Sequence, residues 1–303
     1  MPDRILDFSI DIGQWIEKAV DYIATNFAPV LDGISDGIGF IVESLEDGLL
    51  AVPPLVLAVA LLVLGFWRVS WRFAVFTAIA VALIIGMDLW QETISTLALV
   101  ISASLVALII GIPVGIAMAR SDTVEAVVRP ILDLMQTMPP FVYLIPAVIF
   151  FGLGKVPGTI ATLVFAMPPA VRLTNLGIRQ VSSEHVEAGL AFGCTPRQLL
   201  YKVQLPLALP SIMQGINQTI MLALSMVVIA SMIGAGGLGG TVLTGIERLN
   251  VGLGFEGGLG VVLLAILLDR ITQSFGFRRA RPQRGRVRAF LARLLRRRAQ
   301  GEG

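Results

Sequence analysis

Few residues in this chain could carry out chemistry. His185 is the only histidine and Cys194 the only cysteine, so the sequence offers neither an internal disulfide nor a His/Cys cluster at metal-ligand spacing. The sequence also lacks a Ser/His/Asp set and a pair of carboxylates inside an apolar stretch. We therefore predict no catalytic residue, no metal ligand and no cofactor bound by this chain itself.

A glycine-rich segment at 234–239 reads Gly-Ala-Gly-Gly-Leu-Gly and has the spacing G-x-G-x-x-G. A nucleotide site with this spacing needs a strand before it and a helix after it. The long apolar stretch 208–233 precedes it here, so the segment predicts a break where a membrane helix ends. The sequence contains no Gly-x-x-x-x-Gly-Lys-Ser/Thr motif, so any ATP must be handled by another chain.

The segment 175–207 predicts two short helices joined by a tight turn. Ser183 can cap the first helix, and Gly193 can end it in the left-handed conformation. Thr195 can cap the second helix, with Pro196 in its first turn. A stiff helix–turn–helix between two apolar stretches is unusual for a mere connector, and it predicts a docking surface for another protein.

The same segment resembles the permeases of ATP-binding-cassette importers. Their signature is Glu-Ala-Ala, three residues, Gly, nine residues, then Ile-x-Leu-Pro. Gly189 stands here for the second Ala and Val203 for the Ile. The resemblance implies a coupling helix that sits in a groove of a cytoplasmic ATPase. The positions that it assigns to this coupling are Glu187, Ala188, Gly189, Gly193, Leu205 and Pro206.

The resemblance extends over residues 92–275 to one subgroup, the glycine betaine/proline betaine (ProU-like) importer permeases. It implies quaternary-ammonium osmolytes as substrates and the five-helix core of type I importer permeases. It also implies an ATPase that holds ATP and Mg²⁺, an external substrate-binding protein and a second permease copy as partners. The stretches that carry it are 151–158, 167–174, 203–210 and 217–230.

The composition requires a membrane. Hydrophobic residues make up 55% of the 303 residues and charged residues only 15%, against about 25% charged residues in soluble domains. A segment of about 20 apolar residues crosses a bilayer as a helix. We therefore predict an all-α membrane protein with seven spans in a permease domain at 51–277. The predicted spans are 51–67, 73–90, 93–118, 131–152, 156–174, 208–233 and 257–275.

The distribution of basic residues sets the predicted orientation. With the N-terminus outside, the inside segments hold nineteen Lys and Arg residues and the outside segments four. Positive residues concentrate on the cytoplasmic side. The sequence therefore predicts a multi-pass membrane protein with its N-terminus outside and its C-terminus inside, and the resemblance implies that this membrane is the bacterial inner membrane.

The two ends of the chain carry opposite charges. Residues 1–50 contain ten acids and two bases, with apolar residues at helical spacing. They predict amphipathic external helices on the membrane or on the protein surface, or else a partly ordered acidic tail. Residues 278–303 form an Arg-rich cytoplasmic tail. Such a segment beside a membrane favours contact with anionic lipid over nucleic-acid binding.

Polar residues of the sixth span suggest a transport path. Polar side chains inside a membrane usually face the protein interior or water. They line the path or form hydrogen bonds between helices, and the sequence leaves both readings open. An ion-coupled transporter or channel is the alternative function, and it would need intramembrane acids. The candidate lining residues are Gln214, Asn217, Gln218 and Ser225.

Overall fold

The computed structural model of the chain describes residues 11–276, and every regular element in that range is helical. The predicted tail 278–303 and residues 1–10 lie outside it. The α-helices are α1 Ile12–Asn26, α2 Ala28–Leu50, α3 Pro54–Arg68, α4 Trp71–Gly86, α5 Trp90–Arg120, α6 Asp122–Thr137, α7 Pro140–Phe151, α8 Lys155–Arg179, α9 Ser183–Ala191, α10 Pro196–Leu199, α11 Leu205–Ser231, α12 Gly237–Glu247 and α13 Val251–Gly276.

Four helical segments are long and apolar enough to cross a membrane: α5, α8, the continuous run Pro196–Ser231 and α13. Two bent pairs, α2 with α3 and α6 with α7, reach the required length together. The predicted spans 51–67 and 73–90 correspond to the shorter helices α3 and α4. The all-α membrane architecture is confirmed.

The predicted span 131–152 is wrong as a single helix. It is divided between α6 and α7, which meet at an angle of 98°. Met138 and Pro139 have extended backbones, with ψ of 134° and 137°. A proline forces the residue before it out of the helical region, and two consecutive prolines, Pro139 and Pro140, do so twice. The segment thus turns where a straight span was predicted.

The centre of the fold is the packing of α5 and α11 against α8. Two glycines of α5 allow a close approach, as their Gly-x-x-x-Gly spacing indicates. A Cβ on Gly111 would lie 3.2 Å from Ala170 Cβ. A Cβ on Gly115 would lie 2.6 Å from the Val171 carbonyl oxygen and 2.7 Å from Thr174 Cβ. The backbone of α8 therefore occupies the space that a side chain at 115 would need.

Replacing Gly115 with alanine should lower the thermal stability of the purified protein. The added methyl group meets backbone that cannot move aside, and overpacking of this kind costs about 1–3 kcal/mol. Gly258→Ala is the control, because a Cβ at this α13 glycine meets nothing within 4 Å. Thermal unfolding in detergent measures both variants. Equal melting temperatures would contradict the close α5–α8 packing.

The helix α2 packs on the protein. It lies against α5, α7 and α8, and its Val42 is fully buried. Glu46 of α2 forms an ion pair with Lys155, the first residue of α8. A cation is unfavourable at a helix N-terminus, and the carboxylate offsets this. The structure thus places α2 against the other helices, while the external position of residues 1–50 stays a prediction.

The glycine-rich segment 234–239 covers the turn after α11 and the first three residues of α12. Gly234, Gly236 and Gly237 have φ values of +88°, +73° and +68°, which favour glycine. The N–H of Gly154, just before α8, donates a 2.8 Å hydrogen bond to the Ile233 carbonyl. The predicted break at the end of a membrane helix is confirmed.

Candidate coupling site

The short helix predicted in the segment 175–207 is α9. It begins at Ser183, and Ser182 occupies the capping position instead of Ser183. The Ser182 hydroxyl lies 2.6 Å from Nδ1 of His185, and it makes no capping bond to the backbone. The predicted cap at Ser183 is therefore wrong by one residue, because the preceding serine already has the extended backbone that a cap requires.

The turn after α9 has the predicted form. Gly193 has a φ of +75°, and its N–H donates a 2.9 Å bond to the Leu190 carbonyl. Thr195 and Gln198 then form a reciprocal capping box, in which each side chain accepts from the backbone N–H of the other. These local bonds fix the angle between the two short helices.

Gly189, which stands at the second Ala of the Glu-Ala-Ala pattern, lies at the contact between the two short helices. It is the one buried residue of α9. A Cβ on it would lie 2.8 Å from Leu199 Cδ1 and 3.5 Å from Val203 Cγ2. The glycine lets α9 rest directly on the helix that follows the turn. The two short helices therefore form one packed unit.

The second helix of the loop is the beginning of a span. The helical run that begins at Pro196 extends to Ser231. The predicted loop 175–207 is therefore shorter at its C-terminal end. Within this run, Leu200–Gln204 form a π-helical turn, in which the Leu205 N–H donates to the Leu200 carbonyl. Pro206 has no N–H, so the α-helical bond to the Lys202 carbonyl cannot form, and the helix widens. Leu205 packs against a cluster that includes Ile178 of α8, which ties the loop to two spans.

The outer face of this unit is apolar at its centre and acidic beside it. Phe192 is 90% exposed and Leu190 53% exposed. Glu184, Glu187 and Ala188 are exposed as well. Glu187 forms no ion pair among the described residues. An exposed aromatic residue on a rigid frame is typical of protein interfaces.

The predicted lining residues divide between two faces of α11. Gln214, Gln218 and Ser225 lie on one exposed face, and their role in a transport path stays a prediction. Asn217 is 7% exposed and donates a 2.9 Å hydrogen bond to Asp269 of α13. Asn217 therefore does not share the exposed face, and its described contact is between helices.

Replacing Gln218 with leucine should lower uptake without loss of stability. The exposed amide is available to solvent or substrate, and the loss of one hydrogen bond of about 0.5–1.5 kcal/mol reduces the rate by about two- to tenfold. Asn217→Leu should instead lower the melting temperature, because it removes the bond to Asp269. Uptake and thermal unfolding are measured on both variants. Unchanged uptake in Gln218→Leu would contradict the lining role.

Two polar networks could not be predicted from the sequence. Asp269 accepts hydrogen bonds from Asn217 at 2.9 Å and from Gln273 at 2.7 Å. Asn217 and Asp269 are 52 positions apart in the sequence. Arg179, at the end of α8, bonds to residues 57 and 61 positions away. In the sequence, each network is indicated only by one charged residue, Asp269 or Arg179, within or beside an apolar stretch. That residue alone does not identify its hydrogen-bond partners.

Known proteins resemble this chain over most of its length. The glycine betaine/carnitine transport permease protein GbuB of Listeria monocytogenes is 51% identical over 88% of this chain and 96% of its own. The glycine betaine/proline betaine transport system permease protein ProW of Escherichia coli is 48% identical over 88% of this chain and 75% of its own. Relatives this similar share the same fold and family.

A solved structure shares the fold. The chain matches the MetNI methionine ABC transporter in an inward-facing conformation with a TM-score of 0.55, over 60% of this chain and 91% of that one, at 21% identity. Residues 111–281 also match the family described as binding-protein-dependent transport system inner membrane component. The chain therefore belongs to this family of ABC importer permeases, which are multi-pass proteins of the bacterial inner membrane.

Proposed function

We propose that this chain is the membrane-spanning subunit of an ATP-driven importer for quaternary-ammonium osmolytes such as glycine betaine. The observation that carries the substrate class is the identity of 51% and 48% to two permeases named for glycine betaine transport. A subunit that receives its substrate from a binding protein does not itself need a tight cage for the cation. That cage can lie on the partner.

In this proposal α9 is the coupling helix. Leu190 at the end of α9 and Phe192 directly after it insert into a groove of a separate ATPase, and Glu187 lies beside the contact. Gly189, Gly193 and the Thr195 capping box make the loop rigid, so that it moves as a body. ATP closes the ATPase dimer, and the loops of two permease copies carry this movement into the spans, which gives alternating access.

The proposal includes the partners and the arrangement in the membrane. The ATPase holds ATP and Mg²⁺, and the chain itself binds neither. A second permease copy completes the pathway, and an external binding protein delivers substrate. The segment 1–50 lies outside as the charge distribution predicts, while 278–303 lies in the cytoplasm against anionic lipid.

The ion-coupled alternative has less support. An ion-coupled transporter needs intramembrane acids that change their charge or partner during transport. Asp269 accepts a hydrogen bond from Asn217 of α11 and another from Gln273 of its own helix, so its described contacts are structural. The alternative also gives no role to the rigid unit formed by α9 and α10. The importer accounts for that unit directly.

The test is uptake of radiolabelled glycine betaine by bacterial cells that lack their own betaine importers. The chain is expressed with its ATPase and binding protein, and each component is then omitted in turn. We expect uptake only when all three are present, and competition by unlabelled proline betaine, carnitine or choline defines the substrate range. Uptake by the chain alone would contradict the proposal and favour the ion-coupled alternative.

A further inference from the structure

Arg179, the last residue of α8, joins the ends of three helices. Its Nη2 donates to the Met118 carbonyl near the end of α5 at 2.9 Å. The same atom donates to Asp122 at 2.7 Å and forms an ion pair with Glu125 at 2.9 Å, both at the start of α6. Its Nε donates a 3.0 Å bond to Asn175, one turn earlier in α8. One guanidinium therefore connects α5, α6 and α8.

Each partner suits its position in its helix. The Met118 carbonyl is among the last four of α5, which have no partner inside their own helix. Asp122 and Glu125 lie in the first turn of α6, where negative charge is favourable. The positive charge of Arg179 lies at the end of α8, where a cation is favourable. Only the planar fork of arginine reaches several acceptors in fixed directions.

The space beside this cluster is hollow. An open cavity of about 580 Å³ lies between α6 and α8, with Arg129, Asp133 and Arg172 along its wall. The pair Arg172–Asp133 crosses it but is exposed, and exposed pairs contribute little, about 0–1 kcal/mol. An apolar cluster that includes Met118, Leu132 and Val171 joins α5, α6 and α8 on one side of the cavity, and the Arg179 cluster is the polar connection at the start of α6.

Arg179 also lies next to the coupling helix. Only residues 180–182 separate it from Ser183, where α9 begins. This short link is itself held to α8, because the N–H of Gln180 donates a 2.9 Å bond to the Leu176 carbonyl. A displacement of α9 must therefore move the end of α8 that carries Arg179.

We infer that Arg179 is a positioning residue that transmits the movement of the coupling helix to the turn between α5 and α6. This inference rests on the proposed function. The α5–α6 turn at Ser121 follows when α9 and the end of α8 are displaced, because the guanidinium holds both sides of the turn. Without the cluster, α9 still docks on the ATPase and α5 still packs on α8, but the displacement reaches the start of α6 weakly.

The test compares Arg179→Gln with the wild-type chain in proteoliposomes that hold the ATPase and the binding protein. ATP hydrolysis and uptake of glycine betaine are measured on the same sample. We expect hydrolysis to persist and the number of betaine molecules imported per ATP to fall about fivefold or more, the size of a typical coupling between sites. Arg129→Gln is the matched control, because Arg129 pairs with the same Glu125 but is 65% exposed and lies within α6. It should keep the wild-type ratio.

A merely structural role would lower uptake and hydrolysis together and leave their ratio unchanged, which would overturn the inference. If Arg179→Gln does not assemble, Arg179→Lys replaces it. Lysine keeps the charge but not the fork, so a ratio below wild type supports the inference and an unchanged ratio overturns it. A wild-type complex that takes up no betaine with ATP would instead contradict the proposed function.

Discussion

Glu187→Lys is expected to reduce ATP-dependent uptake by at least about tenfold. Glu187 is exposed and forms no ion pair in the described part of the chain, so the substitution breaks no contact within the permease. Its effect must arise at the partner surface. There the lysine faces groups of the ATPase that had accommodated a carboxylate, which costs several kcal/mol of binding free energy. A loss of about 1.4 kcal/mol already weakens binding tenfold.

Binding of the ATPase to the purified permease measures this effect directly, with uptake as the second readout. Glu247→Lys is the control, because Glu247 is also an exposed glutamate near a helix end but lies in α12, on the predicted outer side. We expect weaker ATPase binding only in Glu187→Lys. Equal binding by both variants would show that α9 is not the docking helix.

Gly193→Val should also abolish most of the uptake, for a conformational reason. The φ of +75° at Gly193 costs other L-residues about 1–2 kcal/mol, and a β-branched residue is a strong outlier there. The space around it is open, since a Cβ would meet nothing within 4 Å. The substitution therefore acts on the angle between α9 and α10 alone.

Asparagine at the same position is the matched control. Asn tolerates the left-handed conformation better than other residues with a side chain. We expect Gly193→Asn to keep most of the uptake and Gly193→Val to lower it about tenfold or more, while the spans unfold at the same temperature in both. Uptake is measured in proteoliposomes. Equal activity in the two variants would mean that the turn angle does not matter for coupling.

The coupling loop is predictable because its determinants are local. The turn at Gly193 and the capping box at Thr195 depend on residues within three positions of each other. The chemistry of such residues can be read from the sequence. The cap is the exception, since Ser182 and Ser183 offer the same hydroxyl and only the backbone decides between them.

The bent spans are harder to predict, because hydropathy reports composition and not direction. The residues of 131–152 are apolar enough for one helix, yet Pro139 and Pro140 turn the chain by 98°. Hydropathy likewise places α2 outside the permease domain, while Val42 is fully buried. A helix that buries one side against other helices needs apolar residues on that side only, and not a continuous apolar stretch.

The pathway residues show the limit of a single periodic pattern. Gln214, Gln218 and Ser225 share a face at helical spacing, as the sequence indicates. Asn217 is adjacent to Gln218, and consecutive helical residues point about 100° apart. Its partner Asp269 lies on another helix, so only the packing of α13 against α11 identifies its role.

The most direct test of the account is uptake of radiolabelled glycine betaine by proteoliposomes that contain the purified chain, its ATPase and the external binding protein. ATP is enclosed on the ATPase side in one sample and a non-hydrolysable analogue in another, both without an ion gradient. The account predicts accumulation only with ATP, and none when Glu187→Lys replaces the wild-type chain. Accumulation by the chain alone, driven by an ion gradient and unaffected by Glu187→Lys, would contradict it.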